Sequence, residues 1–215
     1  MTVSSSNIQN HVPRETITAL PAYALSHKTK QRLRQFEDIT RQWNQKINLV
    51  SHRDVDFLWE RHIQDSLRLL PLIPKEVAIN DLGSGGGFPG IVIAIANGNK
   101  VTMLESDQRK CAFLREASRL CQAPTKIVPS RLEEVKAPPA PIVTARALAP
   151  LPRLLDWAFP FLETGGACLF FKGRNAPEEI EKASKDWDFD LETFQKKGDE
   201  GVILKITNLM RKQTA

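Results

Sequence analysis

The sequence has 215 residues, 41% of them hydrophobic and 26% charged, and a net charge of +5 at pH 7. This composition is typical of a globular chain that buries a sizeable core. The longest apolar runs, residues 91–96 and 167–171, are far shorter than the roughly 18 residues of a membrane-spanning helix. We therefore expect no membrane partner. Because the polar N-terminus lacks the apolar core of a secretory signal, we also expect a cytoplasmic location.

Residues 1–74 are predicted to form a mobile N-terminus followed by a helical extension. Between residues 26 and 50, apolar side chains recur every three or four positions, which predicts a helix with one buried face. A second helix is predicted to begin at Asp54, as its N-cap, and to end before the prolines at 71 and 74. Seven basic and two acidic residues lie between residues 26 and 53, a local charge that indicates a polyanionic partner.

From residue 75 to residue 215, short apolar segments alternate with helical ones, which predicts a mostly parallel sheet covered on both faces. The predicted strands are residues 77–82, 101–105, 126–128, 142–145 and 167–171, with helices beginning near residues 88, 108, 131, 150 and 177. Residues 189–194 and 202–207 are predicted to close the chain as an antiparallel hairpin. The sequence therefore predicts a Rossmann-like α/β domain preceded by a helical extension.

The segment DLGSGGGFPG, residues 81–90, connects the first predicted strand to the first predicted helix of this domain. Glycines in such a turn let backbone N–H groups and the helix N-terminus approach a ligand closely. Residues 85–90 fit the GxGxxG pattern of dinucleotide-binding enzymes, whereas residues 81–87 fit the DxGxGxG pattern of loops that bind S-adenosylmethionine. Glu105, at the end of the second strand, could hold ribose hydroxyls in either cofactor.

Three features favour S-adenosylmethionine over a nicotinamide dinucleotide. Asp81, at the end of the first strand, can meet the ammonium group of a methionine moiety but would repel a pyrophosphate. Too little chain follows residue 171 for the second mononucleotide half that NAD enzymes usually need. The terminal hairpin is typical of the class I S-adenosylmethionine-dependent methyltransferase fold. An NAD(P)-dependent oxidoreductase is the alternative. The predicted cofactor-binding residues of this region are Asp81, Gly83, Gly85, Gly87 and Glu105.

Two further positions follow predicted strands. Leu132 and Glu133, after the third strand, could hold adenine between an apolar side chain and an acceptor for its exocyclic amine. The same residues fit an ordinary helix start with acidic side chains in its first turn equally well. Arg146 ends the fourth strand, where ligands bind in such folds, although a surface arginine is the alternative.

Some methyl acceptors require particular catalytic side chains, and the sequence lacks several of these, which narrows the choice of acceptor. Cytosine C5 methylation needs a nucleophilic cysteine, generally after proline, and none of the three cysteines follows one. Their odd number and spacing also predict no disulfide framework and no metal site. Amino methylation of adenine typically uses an Asn/Asp-Pro-Pro-aromatic loop after the fourth strand, where TARALAP stands. Guanine N7 attacks with its own lone pair, so alignment alone could supply about 7–11 kcal/mol. Arg146 could hold guanine O6 or a phosphate and is the predicted catalytic residue.

The motifs resemble those of the RsmG (GidB) methyltransferases over nearly the whole chain after residue 28. The resemblance is carried by WNQKINLVS (43–51), RHIQDSL (61–67), DLGSGGGFPG, LES (104–106), RLEE (131–134), ARALAP (145–150) and FKG (171–173). It implies N7 methylation of a guanine, position 527, in the 530 loop of bacterial 16S ribosomal RNA. It also implies cofactor contacts by Gly83, Phe88, Leu132, Glu133 and Arg146.

With this resemblance, the expected partner is 16S rRNA or the small ribosomal subunit, bound by a monomer without a metal. The candidate RNA-binding residues are Lys28, Lys30, Arg32, Arg34 and Lys172. A solvated helix face and a solvated lysine are the alternatives for these positions, and a non-catalytic ribosome-assembly factor is the alternative for the whole chain. His62 and Asp65 share a helix face, and we expect them to form a structural hydrogen-bonded pair, with a catalytic pair as the alternative.

Overall fold

The computed structural model describes residues 23–196, 198 and 200–213. The predicted mobile N-terminus falls within residues 1–22, outside the described residues. One sheet contains seven strands in the order β3-β2-β1-β4-β5-β7-β6. The strands are β1 (Ile79–Leu82), β2 (Val101–Glu105), β3 (Thr125–Pro129), β4 (Ala140–Arg146), β5 (Leu162–Lys172), β6 (Trp187–Gln195) and β7 (Val202–Arg211).

The predicted sheet is confirmed. Strands β1 to β5 run parallel, and β7 inserts antiparallel between β5 and β6. The strand order reverses beside β1, which pairs with β2 on one side and β4 on the other. Ligands bind at such a switch point, beyond the carboxyl ends of the strands. This topology, with its terminal hairpin, is the class I methyltransferase fold.

Six α-helices accompany the strands in the described part of the chain. They are α1 (His27–Asn44), α2 (Asp65–Leu67), α3 (Gly90–Asn97), α4 (Gln108–Leu120), α5 (Leu151–Ala158) and α6 (Ala176–Ala183). The first predicted helix is thus confirmed as α1, and the Ser26 side chain caps it by accepting from the Thr29 amide at 3.1 Å. No helix in the described ranges is long and apolar enough to cross a membrane.

Two predicted helices are wrong in detail. The second helix of the extension is a series of short turns, with a π-helical segment at Trp59–Gln64 leading into α2. Asp54 does not cap it, because its carboxylate instead accepts from the Ser51 hydroxyl and from Arg61. The helix predicted near residue 131 is only a turn at residues 132–134.

The helical extension shares its hydrophobic core with one face of the sheet. Leu33, Phe36 and Ile39 of α1 are buried in the same cluster as Ile91 of α3 and Phe113 of α4. The Phe36 ring lies 6.4 Å from the Phe113 ring and 5.2 Å from that of Phe88 (centroid distances). The boundary predicted between residues 74 and 75 therefore does not separate two cores.

Candidate active site

A cleft of about 590 Å³ opens where strands β1, β2, β3 and β4 end. The glycine-rich loop forms its floor, and residues that follow β2, β3 and β4 form one wall. The opposite wall comes from the extension, through Leu49, Val50, Ser51, Asp54 and His62. The cleft has the volume typical of a small-molecule or cofactor site.

The loop after β1 adopts backbone conformations that favour glycine. Gly83, Gly85 and Gly87 have φ values of +61°, +51° and +82°. A Cβ atom on Gly83 would lie 2.4 Å from Cδ1 of Leu148, so a larger residue would have to displace that side chain as well as adopt the positive φ. Gly83 and Gly85 line the cleft. Gly87 does not lie among the lining residues, and its N–H donates to the Ser84 carbonyl at 2.7 Å to close the turn.

Glu105 connects this loop to the end of β2. Its side chain is almost buried and lines the cleft, and its two oxygens accept from the amides of Gly85 and Asp107, both at 2.8 Å. A carboxylate has about four acceptor positions, so two are left for other donors. Glu105 therefore fixes the loop and can still accept hydrogen bonds from ribose hydroxyls, as predicted from its position.

Asp81 lies beneath the loop and does not line the cleft. Its Oδ1 accepts from the Thr144 hydroxyl of the neighbouring strand at 2.7 Å. Its Oδ2 has no hydrogen-bond partner within the described part of the chain and lies where a Cβ on Gly90 would approach to 2.6 Å. Burial raises the pKa of this carboxyl to about 6. The geometry therefore gives Asp81 a position under the loop, and its direct contact with a methionine ammonium group stays a prediction.

Leu132 and Glu133 do line the cleft, on the turn after β3. Leu132 packs against the core cluster on the second face of the sheet. Oε1 of the Glu133 carboxylate accepts from the indole Nε1 of Trp157 at 3.1 Å. Arg153 and Trp157, both on α5, line the same wall, and the sequence reasoning missed both.

Arg146 joins the sheet to the extension. Its Nη1 donates to Asp65 Oδ2 at 2.8 Å and its Nη2 donates to the Arg61 carbonyl at 2.7 Å. Asp65 also accepts from Arg68 at 2.9 Å. Burial lowers the pKa of the Arg146 guanidinium, although Asp65 opposes this effect. Arg146 lines the cleft as predicted, with a guanidinium held from the side by Asp65.

His62 is the other nearly buried polar side chain of the extension wall. Its ring lies 4.9 Å from that of Phe88, and its Nε2 is shielded from solvent without a hydrogen-bond partner in the described ranges. Desolvation, aided by the charge of Arg146, lowers the pKa of His62 to about 4, so the imidazole is neutral at pH 7. The predicted His62–Asp65 pair is wrong, because Asp65 pairs with Arg146 and Arg68.

The three cysteines present no thiol to the cleft, although the Cys111 thiol donates to the backbone carbonyl of Glu105 at 3.2 Å. All are buried, and none lines the cleft. Burial raises the pKa of each thiol, that of Cys121 to about 11, so a thiolate nucleophile is disfavoured. Within the described ranges, no three histidine, cysteine, aspartate or glutamate side chains are grouped so that they could hold a metal ion.

Several of the predicted RNA-binding residues are engaged inside the protein. Arg32 donates to the carbonyls of Cys121 and Gln122, where α4 ends. Lys172 is only 9% exposed and forms an ion pair of 2.5 Å with Glu179. These contacts give both residues structural roles, and their contacts with RNA stay a prediction.

Arg34, another of these residues, is partly engaged, since it pairs with Glu37 at 2.7 Å and lies 3.6 Å from the centre of the Trp59 ring.

Lys28 and Lys30 are exposed and do not line the cleft. They precede Arg32, which contacts the C-terminal end of α4, and α4 runs from the cleft edge of the sheet toward the opposite edge over about 20 Å. Three other basic residues line the cleft itself, namely Lys110, Arg131 and Arg153. The sequence reasoning missed them, although their positions after β2, β3 and β4 were a usable signal.

The geometry suits S-adenosylmethionine. The positive φ angles of Gly83 and Gly85 favour glycine, and without a Cβ the backbone of the loop can approach a nucleoside cofactor closely. Glu105 offers acceptors at the end of β2, and Leu132 and Glu133 lie on the next turn along the sheet edge. Ribose and adenine contacts by these residues stay a prediction, and Arg146 and His62 line the part of the cleft next to the extension.

Comparison with known proteins gives a consistent family. Residues 29–202 match the family model described as GidB, rRNA small subunit methyltransferase G. Ribosomal RNA small subunit methyltransferase G of Gluconobacter oxydans is 54% identical over 188 residues, which cover 87% of this chain and 97% of that protein. The protein of the same name from Paramagnetospirillum magneticum is 47% identical over 176 residues, which cover 81% of this chain and 84% of that protein.

A solved structure supports the fold at much lower identity. The crystal structure of M. jannaschii TYW2 in complex with AdoMet superposes with a TM-score of 0.55 at 16% identity, covering 72% of this chain and 78% of that one. The family match spans both the extension and the sheet domain, and it is consistent with the cleft just described. The chain belongs to the GidB family of rRNA small subunit methyltransferases.

Proposed function

We propose that this enzyme transfers a methyl group from S-adenosylmethionine to N7 of a guanine in the 530 loop of 16S ribosomal RNA, position 527. The observation that carries the proposal is a cleft with a cofactor-type floor whose described lining has no thiol and, next to the extension, only a weakly basic imidazole, that of His62. When bound, S-adenosylmethionine supplies an electrophilic methyl group on a sulfonium. Gly83, Gly85, Glu105, Leu132 and Glu133 would hold it.

The ionisable side chains of the cleft favour an acceptor that needs no deprotonation. Glu105 and Asp54 accept hydrogen bonds from neighbouring donors of the protein, and His62, with a pKa of about 4, is a weak base at pH 7. No thiol lines the cleft. Guanine N7 carries an in-plane lone pair and loses no proton when it is alkylated, so positioning is the main requirement.

Arg146 is the proposed catalytic residue because it presents donors to the cleft from a fixed position. A guanidinium has five N–H donors, and two of them are used by Asp65 and the Arg61 carbonyl. The remaining donors can reach guanine O6 or a phosphate, and either contact leaves N7 free to react. Asp65 and Arg68 act behind Arg146 and limit its movement.

The RNA is proposed to contact the rim of the cleft through Lys110 and Arg131. Neither side chain forms an ion pair with another described residue, and both line the opening. Their charge can neutralise phosphates next to the target nucleotide, a contribution that weakens as salt increases. The exposed Lys28 and Lys30 stay as a secondary candidate, because they lie at the opposite edge of the sheet.

Charge reversal separates these two surfaces. Lys110→Glu with Arg131→Glu should lower the affinity for an RNA fragment of the 530 loop about tenfold or more and reduce its salt slope by about 1 to 2. The matched control is Lys28→Glu with Lys30→Glu, which makes the same change in charge. Equal salt slopes for the first pair and the wild type would refute the rim contact.

The activity itself is tested by mapping N7-methylguanosine in small-subunit RNA from cells with and without the protein. Purified enzyme should transfer labelled methyl from S-adenosylmethionine to RNA that lacks the modification. If the purified protein binds the cofactor but leaves the RNA unlabelled, the alternative of a non-catalytic assembly factor would be favoured. We further propose that the enzyme acts in the cytoplasm as a monomer, because residues of one chain complete the cleft.

A further inference from the structure

A small cluster on the wall formed by α5 has no role in the function proposed so far. Arg153 and Trp157 are four residues apart on α5 and therefore share a helix face. The Arg153 guanidinium lies 4.5 Å from the centre of the Trp157 ring. Both side chains contact the Glu133 carboxylate, which belongs to a different segment of the chain. The cluster therefore ties α5 to the turn after β3.

Both contacts fall on the same oxygen of Glu133. Trp157 Nε1 donates to Oε1 at 3.1 Å, and Arg153 Nη2 lies 3.8 Å from that atom. No hydrogen bond or ion pair joins the second oxygen, Oε2, to another described residue. The Glu133 side chain is 52% exposed and would otherwise rotate in solvent. The indole N–H, which can only donate, thus fixes one oxygen and leaves the other as a directed acceptor.

We propose that Trp157 is a positioning residue through which the enzyme selects a cofactor with an amino group on its purine. This inference rests on the proposed function, in which Glu133 faces adenine in the cleft. Oε2 of Glu133 accepts from the exocyclic amine, and Trp157 holds the carboxylate in that orientation. A purine with a carbonyl at the same position is rejected, because its carbonyl oxygen and the Glu133 carboxylate are both acceptors and form no hydrogen bond with each other.

Binding of two product analogues tests this role without turnover. Calorimetry would compare S-adenosylhomocysteine with S-inosylhomocysteine, which differ in the amino or oxo group of the purine. The wild-type enzyme should prefer the adenosine compound by about tenfold or more, as expected for a hydrogen bond to a charged group. Trp157→Phe, which keeps an aromatic ring beside Arg153 but removes the N–H donor, should reduce this preference severalfold.

Two further variants separate positioning from packing. Glu133→Ala should abolish the preference, and adding Trp157→Phe to it should reduce the preference no further, because both changes remove the same interaction. Arg153→Met, which removes the guanidinium stack but keeps the indole donor, should retain most of the preference.

Equal losses of affinity for both analogues in Trp157→Phe would indicate a packing role and overturn the inference. A wild type that binds both analogues equally would also overturn it, while the cofactor assignment would stand. Binding of neither analogue would overturn the proposed function as well.

Discussion

Replacing His62 by glutamine is expected to change how the stability of the protein depends on pH. Burial lowers the pKa of His62 from 6.5 to about 4, with Arg146 and Arg61 adding to the effect and Asp54 and Asp65 opposing it. The difference corresponds to about 3 kcal/mol. The unfolded chain takes up this proton below pH 6.5, whereas the folded chain does so only near pH 4. His62 therefore supports the fold fully above pH 6.5, and that support is lost as the pH falls toward 4.

Asp81 titrates over nearly the same range with the opposite sign. Its pKa is raised from 3.8 to about 6, chiefly by burial, and its hydrogen bond with Thr144 opposes the shift only in part. The folded chain therefore binds the proton more tightly than the unfolded chain. The stability that this group contributes is present below pH 3.8 and is lost as the pH rises through 6, about 3 kcal/mol in all. Between pH 4 and 6 the two groups offset each other.

Urea unfolding at pH 7 and pH 4.5 would measure these contributions separately. Relative to the wild type, His62→Gln should gain about 2 kcal/mol of unfolding free energy when the pH is lowered, because the protonation of unfolded His62 is removed. Asp81→Asn should lose about 2 kcal/mol over the same interval. The double variant should resemble the wild type. Comparing slopes with pH removes any constant effect of the substitutions on packing.

Parallel pH profiles for His62→Gln and the wild type would refute this reasoning, because they would mean that His62 binds its proton equally in both states. A gain in stability for Asp81→Asn at low pH would contradict the sign derived for the buried carboxyl. The control is the m-value, the slope of the unfolding free energy with urea concentration. It should be the same for all variants if they unfold from the same compact state.

Three other substitutions test the site and its supports. Arg146→Ala should lower kcat for RNA methylation about 100-fold, whereas Asp65→Asn, which keeps the guanidinium, should cost much less; equal losses would indicate a purely structural role. Gly83→Ala should weaken S-adenosylhomocysteine binding in calorimetry, because alanine is strained at a φ of +61° and its Cβ would displace the Leu148 side chain that lines the cleft. Arg32→Met should lower the unfolding free energy by about 1–3 kcal/mol in urea titrations while RNA affinity is retained; loss of RNA affinity in a stable variant would restore its predicted role.

The strands were predictable because their signal is local. Buried parallel strands are short apolar runs bounded by turns, and β2 has the predicted bounds Val101–Glu105. The turn at residues 132–134 was mistaken for a helix because acidic residues favour a first turn. Pro138 and Pro139 follow within a few residues, and a proline disfavours helical backbone in the residue before it. In the extension, apolar spacing identified a buried face at Trp59–Gln64 but could not distinguish α-helical from π-helical hydrogen bonding.

The candidate site was predictable where a motif encodes backbone geometry. The glycines of the loop indicate positive φ angles. The place of Glu105 in the cleft could be predicted from its position at the end of a strand. Charge along the sequence was a poorer guide, because it does not show which partner a side chain meets. Arg32 meets carbonyls about 90 residues away, and Lys172 meets a carboxylate on the next helix. Trp157 carries no motif, and only the fold brings it to Glu133.

In the proposed function, one wall of the cleft binds the cofactor and the other contacts the methyl acceptor. The loop and the ends of β2 and β3 provide the features that any enzyme of this fold needs for a nucleoside cofactor. The opposite wall, with Leu49, Asp54 and His62, belongs to the extension and shares its core with the sheet. Arg146 crosses between the two walls, since it ends β4 and pairs with Asp65. Because the extension packs against the sheet through Phe36 and through this ion pair, the geometry at the acceptor depends on residues outside the sheet domain. We therefore propose that the extension and the sheet together determine which acceptor the enzyme methylates.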